Sequence, residues 1–429
     1  MTTANAGGLL HNTNQHIDFM RMMARGASTE IDAIYTNPAG IGFWDHNGWG
    51  LSINIQNATQ NRDIEATFPL FSDENHTRYY EGKAVAPIIP SIYAVYKAER
   101  WSVAGFVGIT GGGGKCNYDK GLPLFDAAVM TGLYSANSAL TPDTYNINTS
   151  MRGRQYIYGA QVGGTYLFNK HFSGYVGFRM NYFDGNYRGH VDAALKTGDA
   201  ALAHIALDCD QTGWGITPII GLDYKWDRLT LAAKYEFKTK LNIENDTKTL
   251  EATPEAFRTA LTDFEHGVNT PSDLPSVLYL AAGYEIIPKK LRAAVEYHFY
   301  DDRHAGMAHD KQKALRHGTH EILAGVEWDI TKMFTVSAGF QNTDYGLTDE
   351  FQTNTSFSCD SYSIGLGGAI NITPKIKVNL GYFWTTYKDY NKTMGADKGG
   401  YNGISAALPG KDVYSRTNRV FGAGIDFKF

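Results

Sequence analysis

The sequence predicts an all-β membrane protein: an antiparallel transmembrane β-barrel of about fourteen strands, with a small N-terminal segment of helix and loop inside its lumen. Three observations predict it. Apolar and polar side chains alternate in segment after segment from Trp49 to Phe429, each of about ten residues, the length a tilted strand needs to cross a bilayer. Short and long connections between these segments take turns, as in bacterial outer-membrane barrels. Aromatic residues are abundant, with 27 Tyr and 22 Phe alongside 46 Gly in 429 residues, which suits interfacial aromatic girdles.

The alternation is clearest in Leu229–Lys238. Leu229, Leu231, Ala233, Tyr235 and Phe237 fall on one face, and Thr230, Ala232, Lys234, Glu236 and Lys238 on the other. A period of two marks a strand with unlike surroundings on its two sides. It recurs in Leu291–Tyr300, Glu321–Ile330, Ile376–Trp384 and Phe421–Phe429. Strands of a soluble sandwich also alternate, but they average about five or six residues, and here one face stays apolar from end to end. The short connections are Lys97–Arg100, Asn169–His171, Asp227–Arg228, Pro288–Lys290, Thr331–Met333 and Thr373–Lys375. The long ones, near 113–151, 191–212, 244–274, 304–316, 346–356 and 389–413, are expected as outward loops. An even strand number puts both ends of the barrel on the short-turn, periplasmic side.

Composition narrows the function. Net charge is −5 with mixed signs and no basic run, so no nucleic-acid partner is expected. No run approaches the roughly 18 apolar residues of a membrane helix. The expected location is the outer membrane of a Gram-negative bacterium, with membrane lipid and lipopolysaccharide around a monomer. Met1-Thr2-Thr3-Ala4 lacks charged and apolar leader regions, so a signal peptide already removed is expected. Cys116, Cys209 and Cys359 are odd in number and form no CxxC pair; a Cys116–Cys209 bridge and free thiols both stay open. His298, His304, His309, His317 and His320 gather around one outer loop. On a strand, His317 and His320 would face opposite sides, so no metal is expected, nor any cofactor. No nucleophile elbow stands out; no catalytic residue is expected, and the chain is read as a non-enzyme.

Residues 1–48 do not alternate, and the domain boundary is placed there, with the barrel at 49–429. Asp18–Arg25 is rich in helix formers. Ser28-Thr29-Glu30-Ile31-Asp32 can cap and begin a second short helix, with acids at the positive end of its dipole. Pro38 and Gly40 end it. The segment is too short for a core of its own, so Phe19, Met20, Met22, Met23, Ile31 and Ile34 are expected to be buried inside the barrel.

The run Ala24-Arg25-Gly26-Ala27-Ser28-Thr29-Glu30-Ile31-Asp32-Ala33-Ile34-Tyr35-Thr36-Asn37-Pro38-Ala39-Gly40 resembles the N-terminal hatch of the FadL/TodX family of outer-membrane transporters for long-chain fatty acids and other hydrophobic compounds. With the strand number and the aromatic C-terminus, the resemblance spans essentially the whole chain. It implies passive transport. Ligand enters a groove among the outer loops, passes to a lumen pocket gated by the hatch, and leaves sideways where the third strand kinks inward. On this chain the gate falls on Asn37, Pro38 and Ala39, and the kink on Gly105, Phe106 and Gly108 of the strand that starts at Trp101. Glycine there weakens the ladder; the four glycines at 111–114 read as a local feature. Phe19, Met22, Met23, Ile41 and Phe43 are the expected apolar ligand contacts. Arg21, Arg25, Arg179 and Arg188 are the candidate carboxylate partners, with ion pairing to Glu236, Glu296, Glu321 or Glu327 as their competing use. A diffusion porin and a structural or adhesive barrel are the alternative functions, and a plugged lumen argues against the first.

Overall fold

Antiparallel strands joined to their sequence neighbours leave two edges, and the last strand closes on the first. The structure, a computed structural model, describes residues 14–429. Its fourteen wall strands are β1 (Gly48–Thr67), β2 (Gly82–Lys97), β3 (Trp101–Tyr118), β4 (Tyr145–Leu167), β5 (Phe172–Leu195), β6 (Ala201–Trp226) and β7 (Leu229–Glu236, continued by Asn242–Thr253). They continue as β8 (Asn269–Pro271 and Val277–Ile287), β9 (Leu291–Tyr300), β10 (Thr319–Asp329), β11 (Phe334–Asp344), β12 (Ser361–Thr373), β13 (Ile376–Tyr387) and β14 (Gly410–Lys428). β14 pairs with β1 from Gly50↔Lys428 to Thr67↔Lys411, which removes both edges. Two short strands, Thr77–Tyr80 and Tyr390–Met394, add outer pairings to β1 and β14. No described helix is long and apolar enough to cross a membrane.

The alternation resolves into an outside and an inside. Ile53, Ile55, Val103, Val176, Ile216, Leu222, Leu231, Val295, Ile322 and Leu380 are exposed on the outer wall. Trp49, Trp101, Tyr166, Phe168, Trp226, Trp328 and Phe429 ring it near the short turns. Ser52, Asn54, Gln161, Thr217, Lys234, Glu236, Glu296 and Asn379 alternate with them and are buried inward. This is the apolar-out, polar-in wall of a transmembrane barrel.

Three strands run far beyond the bilayer. β4, β5 and β6 have 23, 24 and 26 residues, about twice what a crossing needs. The connection expected as a loop at 191–212 is a continued β5–β6 hairpin, paired through Val191↔Ile205. Likewise 244–274 begins as the outer half of β7 and includes the short helix Glu255–Phe264. The cause is a change of solvent along one strand. In the membrane part of β6, Trp214, Ile216 and Leu222 face out and Thr217 and Asp223 face in. Higher up, Ala203, Ile205, Leu207 and Cys209 face in, while His204, Asp208 and Asp210 face out. The parity is unchanged and the polarity of each face is exchanged, because water replaces lipid outside.

The extended wall encloses a second core beneath the outer loops. Phe68, Phe71, Tyr80, Leu122, Met130, Leu133, Tyr401 and Tyr414 are buried together, with Cys116, Cys209 and Cys359 among them as free thiols rather than a bridge. His317 precedes β10, so strand parity does not separate it from His320; their ring centroids are 5.1 Å apart. They are engaged elsewhere, His320 Nδ1 with the Tyr297 hydroxyl at 2.7 Å and His317 Nδ1 with the Gly318 carbonyl at 2.8 Å.

The outer core is pinned by a fourteen-residue helix, Pro123–Ala136. Its Asp126 accepts from the Tyr80 hydroxyl at 2.8 Å and from Arg78 Nη1 at 3.1 Å. Burial pushes this carboxyl up to about 6 despite the lowering by Tyr80, Arg78 and Thr149. The folded loop therefore keeps a proton that the unfolded chain has lost above its ordinary pKa. Its stability is greatest in acid and falls as pH rises through about 6, by up to about 3 kcal/mol. Limited proteolysis of segment 119–144 will be faster at pH 7 than at pH 5, and Asp126→Asn will flatten the difference. A pH dependence that survives this substitution would refute the assignment.

Candidate functional site

The lumen is filled from the short-turn end of the barrel by the N-terminal segment. It forms a one-turn helix α1 (Ile17–Arg21), a second short helix α2 (Ala33–Thr36) and a 3-10 turn, Pro38–Phe43, before β1. The α1 region presses its backbone against the wall across β10–β14. The contact is made by Gly325, Gly339, Gly365, Gly381 and Gly422, which form a row across five adjacent strands, Gly339 directly opposite both Gly325 and Gly365, and Gly422 opposite Gly381. A Cβ at Gly339 would stand 2.3 Å from Met23 N, and one at Gly365 2.3 Å from Met20 O. Only glycine admits the helix this closely.

Charges lock the same seat. Arg21 is 1 % exposed and pairs with Asp18 at 2.6 Å and with Glu327 of β10. Arg25 pairs with Asp32 at 2.7 Å. Lys377 of β13 reaches Glu30 at 2.8 Å and Asp18 at 3.3 Å. Two acidic groups have metal-like spacing among the described residues, His16/Asp18/Asp426 and Asp18/Glu30/Asp32. Both are already met by these arginines and by Lys377, which argues against a cation there.

The Asn37-Pro38-Ala39 triplet is docked atom by atom. Asn37 Nδ2 donates to Asp223 of β6 at 2.7 Å and to the Ser28 carbonyl at 3.1 Å. Thr165 Oγ1 donates to the Pro38 carbonyl at 2.8 Å, and Ser173 Oγ to the Ala39 carbonyl at 2.7 Å. Gln161 Nε2 holds the Ile34 carbonyl at 2.8 Å and Lys234 Nζ the Tyr35 carbonyl at 2.9 Å. Inward polar residues of β4–β7 thus satisfy backbone groups that a short irregular segment cannot pair itself.

Above α2 lies a cavity of about 120 Å³. Phe19, Tyr35, Ile157, Leu274, Pro275 and Val277 form its apolar side; Arg179, Lys234, Glu236, Glu296, His298 and Glu321 form its polar side. The polar groups are mutually engaged. Arg179 pairs with Glu236, and Lys234 Nζ reaches Glu236 at 2.9 Å and stands 3.8 Å from the Tyr279 ring centroid. His298 bridges Glu321, at 2.8 Å, and Glu296, whose other oxygen accepts from Gly26 N of the N-terminal segment at 2.8 Å.

The wall is interrupted beside this lumen. β2 and β3 pair from Lys97↔Ser102 to Ile92↔Val107, part, and pair again only from Ala84↔Cys116 to Gly82↔Tyr118. Between these points residues 85–91 and 108–115 share no ladder. On β2 the gap holds Pro87 and Pro90, which have no N–H to donate. On β3 it holds the glycine run, where Gly112 (φ 104°) and Gly114 (φ 69°) adopt left-handed backbone that other residues resist. A second cavity of about 110 Å³ spans the gap, lined by Gln15 of the N-terminal segment, Ala84, Ala86 and Ile89 of β2, and Ile109 and Gly112–Gly114 of β3.

No protein-family model and no curated protein matches the chain. Solved structures do. Over 99 % of this chain and 100 % of the other, it superposes on a Pseudomonas aeruginosa FadL homologue with a TM-score of 0.71 at 13 % identity. The Pseudomonas putida toluene transporter TodX follows with a TM-score of 0.60 at 12 % identity, over 100 % and 99 % of the two chains. The Ralstonia pickettii toluene transporter TbuX gives 0.55 at 12 %, over 99 % of each. The chain has the FadL-type barrel fold.

Within that fold the expected site residues part company. Asn37, Pro38 and Ala39 sit together on the wall. Gly105 and Phe106 lie in intact ladder, opposite Ala94 and Tyr93; Gly108 is at the gap, whose irregular backbone is centred on 111–114 instead. Phe19 borders the lumen cavity. Met22 and Met23 are pressed on Gly325 and Gly339, Ile41 is buried beside Trp44, and Phe43 lies 5.9 Å from Lys225 Nζ. Arg21, Arg25 and Arg179 are consumed in buried ion pairs, and Arg188 pairs with Asp208 on the outer surface. Asp223, Gln161, Thr165 and Ser173 were not foreseen; their only signal is a polar residue on the inward parity of a strand.

Proposed function

We propose that this chain is a passive outer-membrane transporter for hydrophobic small molecules, long-chain fatty acids among them, and not an enzyme. Ligand enters among the outer loops, meets the hatch formed by the N-terminal segment, and leaves sideways through the wall between β2 and β3. The observation that carries this reading is the interrupted β2–β3 ladder beside a plugged lumen. A plug with a hole in the wall is useless to a hydrophilic solute, which would be released into lipid. For an apolar solute the same exit is downhill, by about 25 cal/mol per Å² of surface buried in the acyl layer. The solved relatives in fold are named as a FadL homologue and as toluene transporters. The lumen cavity, about 120 Å³, is smaller than the apolar cavity of about 150 Å³ that holds benzene, so a long acyl chain needs the gap as well.

Two measurements test this. Planar-bilayer recordings will show no large steady ion current, and a porin-like current would overturn the plugged transporter. In cells that depend on the protein for a labelled hydrophobic solute, Ala86→Trp will fill the gap and bring uptake to near background while the folded barrel persists. Uptake unchanged by that substitution would rule out the lateral exit.

A further inference from the structure

Above the membrane, β5, β6 and β7 continue as one sheet with the outer core on one face and water on the other. Val191 and Ile205 take the inner face, so His190, Asp192 and His204 take the outer. Register sets which of them meet. His190 of β5 lies opposite Ala206 of β6, and Ala206 opposite Glu251 of β7; Asp192 lies opposite His204. Alanine fills little of the space between His190 and Glu251, so four donor side chains frame a hollow floored by a methyl group. His204 Nδ1 stands 2.6 Å from Asp192 Oδ1, and its Nε2 3.5 Å from Glu251 Oε2. His190 Nε2 stands 3.9 Å from Asp192 Oδ2, and its Nδ1 3.0 Å from Ser150 Oγ of β4. All four side chains are open to solvent. Lower on the same face Asp208 meets Arg188 and Asp210 meets Lys248. Among the described residues Asp192 and Glu251 are matched instead by the two imidazoles.

Two imidazoles and a carboxylate around one point are the donor set of a divalent transition ion, which takes such nitrogens and oxygens at about 2.0–2.2 Å. Asp192 already bridges the rings, one oxygen toward each. With Nδ1–H donating to Ser150, His190 keeps the Nε2 lone pair for a metal. An ion on Nδ1 of His204 takes the place of the proton shared with Asp192 and leaves Nε2–H to donate to Glu251. A carboxylate behind a ligating histidine fixes the tautomer and aims the ring. Calcium and magnesium prefer oxygen donors throughout and are poorly served by two rings. We propose that His190 Nε2, Asp192 and His204 Nδ1 bind one divalent ion of the zinc or copper class on the outer face of the β5–β6 hairpin, with Ser150 and Glu251 as positioning residues and water in the open positions. Asp192 and Glu251 balance the charge of the ion. The site is separate from the histidines at 298–320 and from the lumen, and it does not depend on the transporter reading.

The test uses the purified full chain, without a histidine tag, in nonionic detergent with Zn²⁺ and Cu²⁺ as probes. Calorimetry will show one equivalent of Zn²⁺ bound, and His190→Ala and His204→Ala will each remove that binding. Glu251→Ala, which acts through His204, will weaken it about tenfold, and Glu251→Gln, which still offers an acceptor, will restore most of the loss. Exposed histidines that face a single aspartate, His304 with Asp301 and His309 with Asp263, serve as controls: His304→Ala and His309→Ala will leave the affinity unchanged. Electron paramagnetic resonance of the Cu²⁺ form will show coupling to two imidazole nitrogens in the parent and to one in His204→Ala. All the substituted side chains are on the water face, and heat-modified gel mobility confirms that each barrel is intact. Absence of Zn²⁺ binding, binding that survives His204→Ala, or loss of binding in His309→Ala would each overturn the site. A Cu²⁺ spectrum with a single nitrogen in the parent would overturn the ligand set.

Discussion

Trypsin will cut the hatch of a Glu327→Ala variant at Arg21 and Arg25 under conditions in which the parent protein is untouched. Glu327 is fully buried in the wall and takes charge from three directions: Arg21, Arg25 Nη1 at 3.6 Å, and Arg292, whose Nε donates to it at 2.7 Å. Asp18 and Asp32 are already committed to Arg21 and Arg25, at 2.6 and 2.7 Å. Removing Glu327 therefore leaves buried positive charge that no neighbour can absorb. Breaking a buried pair from one side costs about 3–5 kcal/mol, against a hatch held otherwise by short helices and scattered hydrogen bonds. The cheapest relief is for the hatch to leave its seat and let water reach the arginines. The wall hydrogen bonds do not depend on Glu327, so the barrel should stay closed while its lumen opens. Asp208→Ala is the comparison. It breaks the exposed Arg188–Asp208 pair, which solvent replaces, and should leave digestion unchanged. A Glu327→Ala protein as resistant as the parent would show that packing alone seats the hatch.

How much of this was legible in the sequence follows from where the forces are local. Within the bilayer, each residue of a strand meets lipid or lumen according to parity alone, so Leu229–Lys238 announces its own structure. Beyond the bilayer the same parity carries the opposite polarity: Ile205 and Leu207 point in and Asp208 and Asp210 point out. With lipid assumed outside, the polar outward face of 191–212 therefore reads as a loop. The triplet at Asn37 was visible as a pattern, but its partner Asp223 is 186 residues away, and nothing near Asp223 marks it. Arg21 and Arg179 could be weighed as ligand partners or ion pairs from sequence; only three-dimensional distance places them on Glu327 and Glu236. The wall gap was half legible. Gly105 and Gly108 drew attention to β3, yet the ladder fails where a glycine run on β3 faces Pro87 and Pro90 on β2, a coincidence between two strands that neither segment declares alone.

Gly339→Val will turn the plugged barrel into one that conducts ions steadily. A side chain at 339 meets backbone, with Met23 N at 2.3 Å and the Met22 carbonyl carbon at 3.0 Å from the Cβ position. Backbone held by its own neighbours cannot swing aside as a flexible side chain can, so the penalty will exceed the 1–3 kcal/mol of ordinary overpacking, roughly. The strand itself loses nothing. Valine is a better strand former than glycine, and Gly339 keeps regular partners in Gly325 and Gly365. The strain therefore falls on the α1 region, the one body at the contact not tied into the ladder. Its displacement uncovers the inward polar residues of β10–β14 and β1, which water and ions will fill. Gly365→Val should act in the same way through Met20 O at 2.3 Å. Gly164→Val should not, because its Cβ points to open space with only the Ser102 carbonyl at 3.8 Å. Planar-bilayer conductance, paired with heat-modified gel mobility to confirm an intact barrel, separates the cases. If Gly339→Val conducts no more than Gly164→Val, the glycine row is not what seats the hatch.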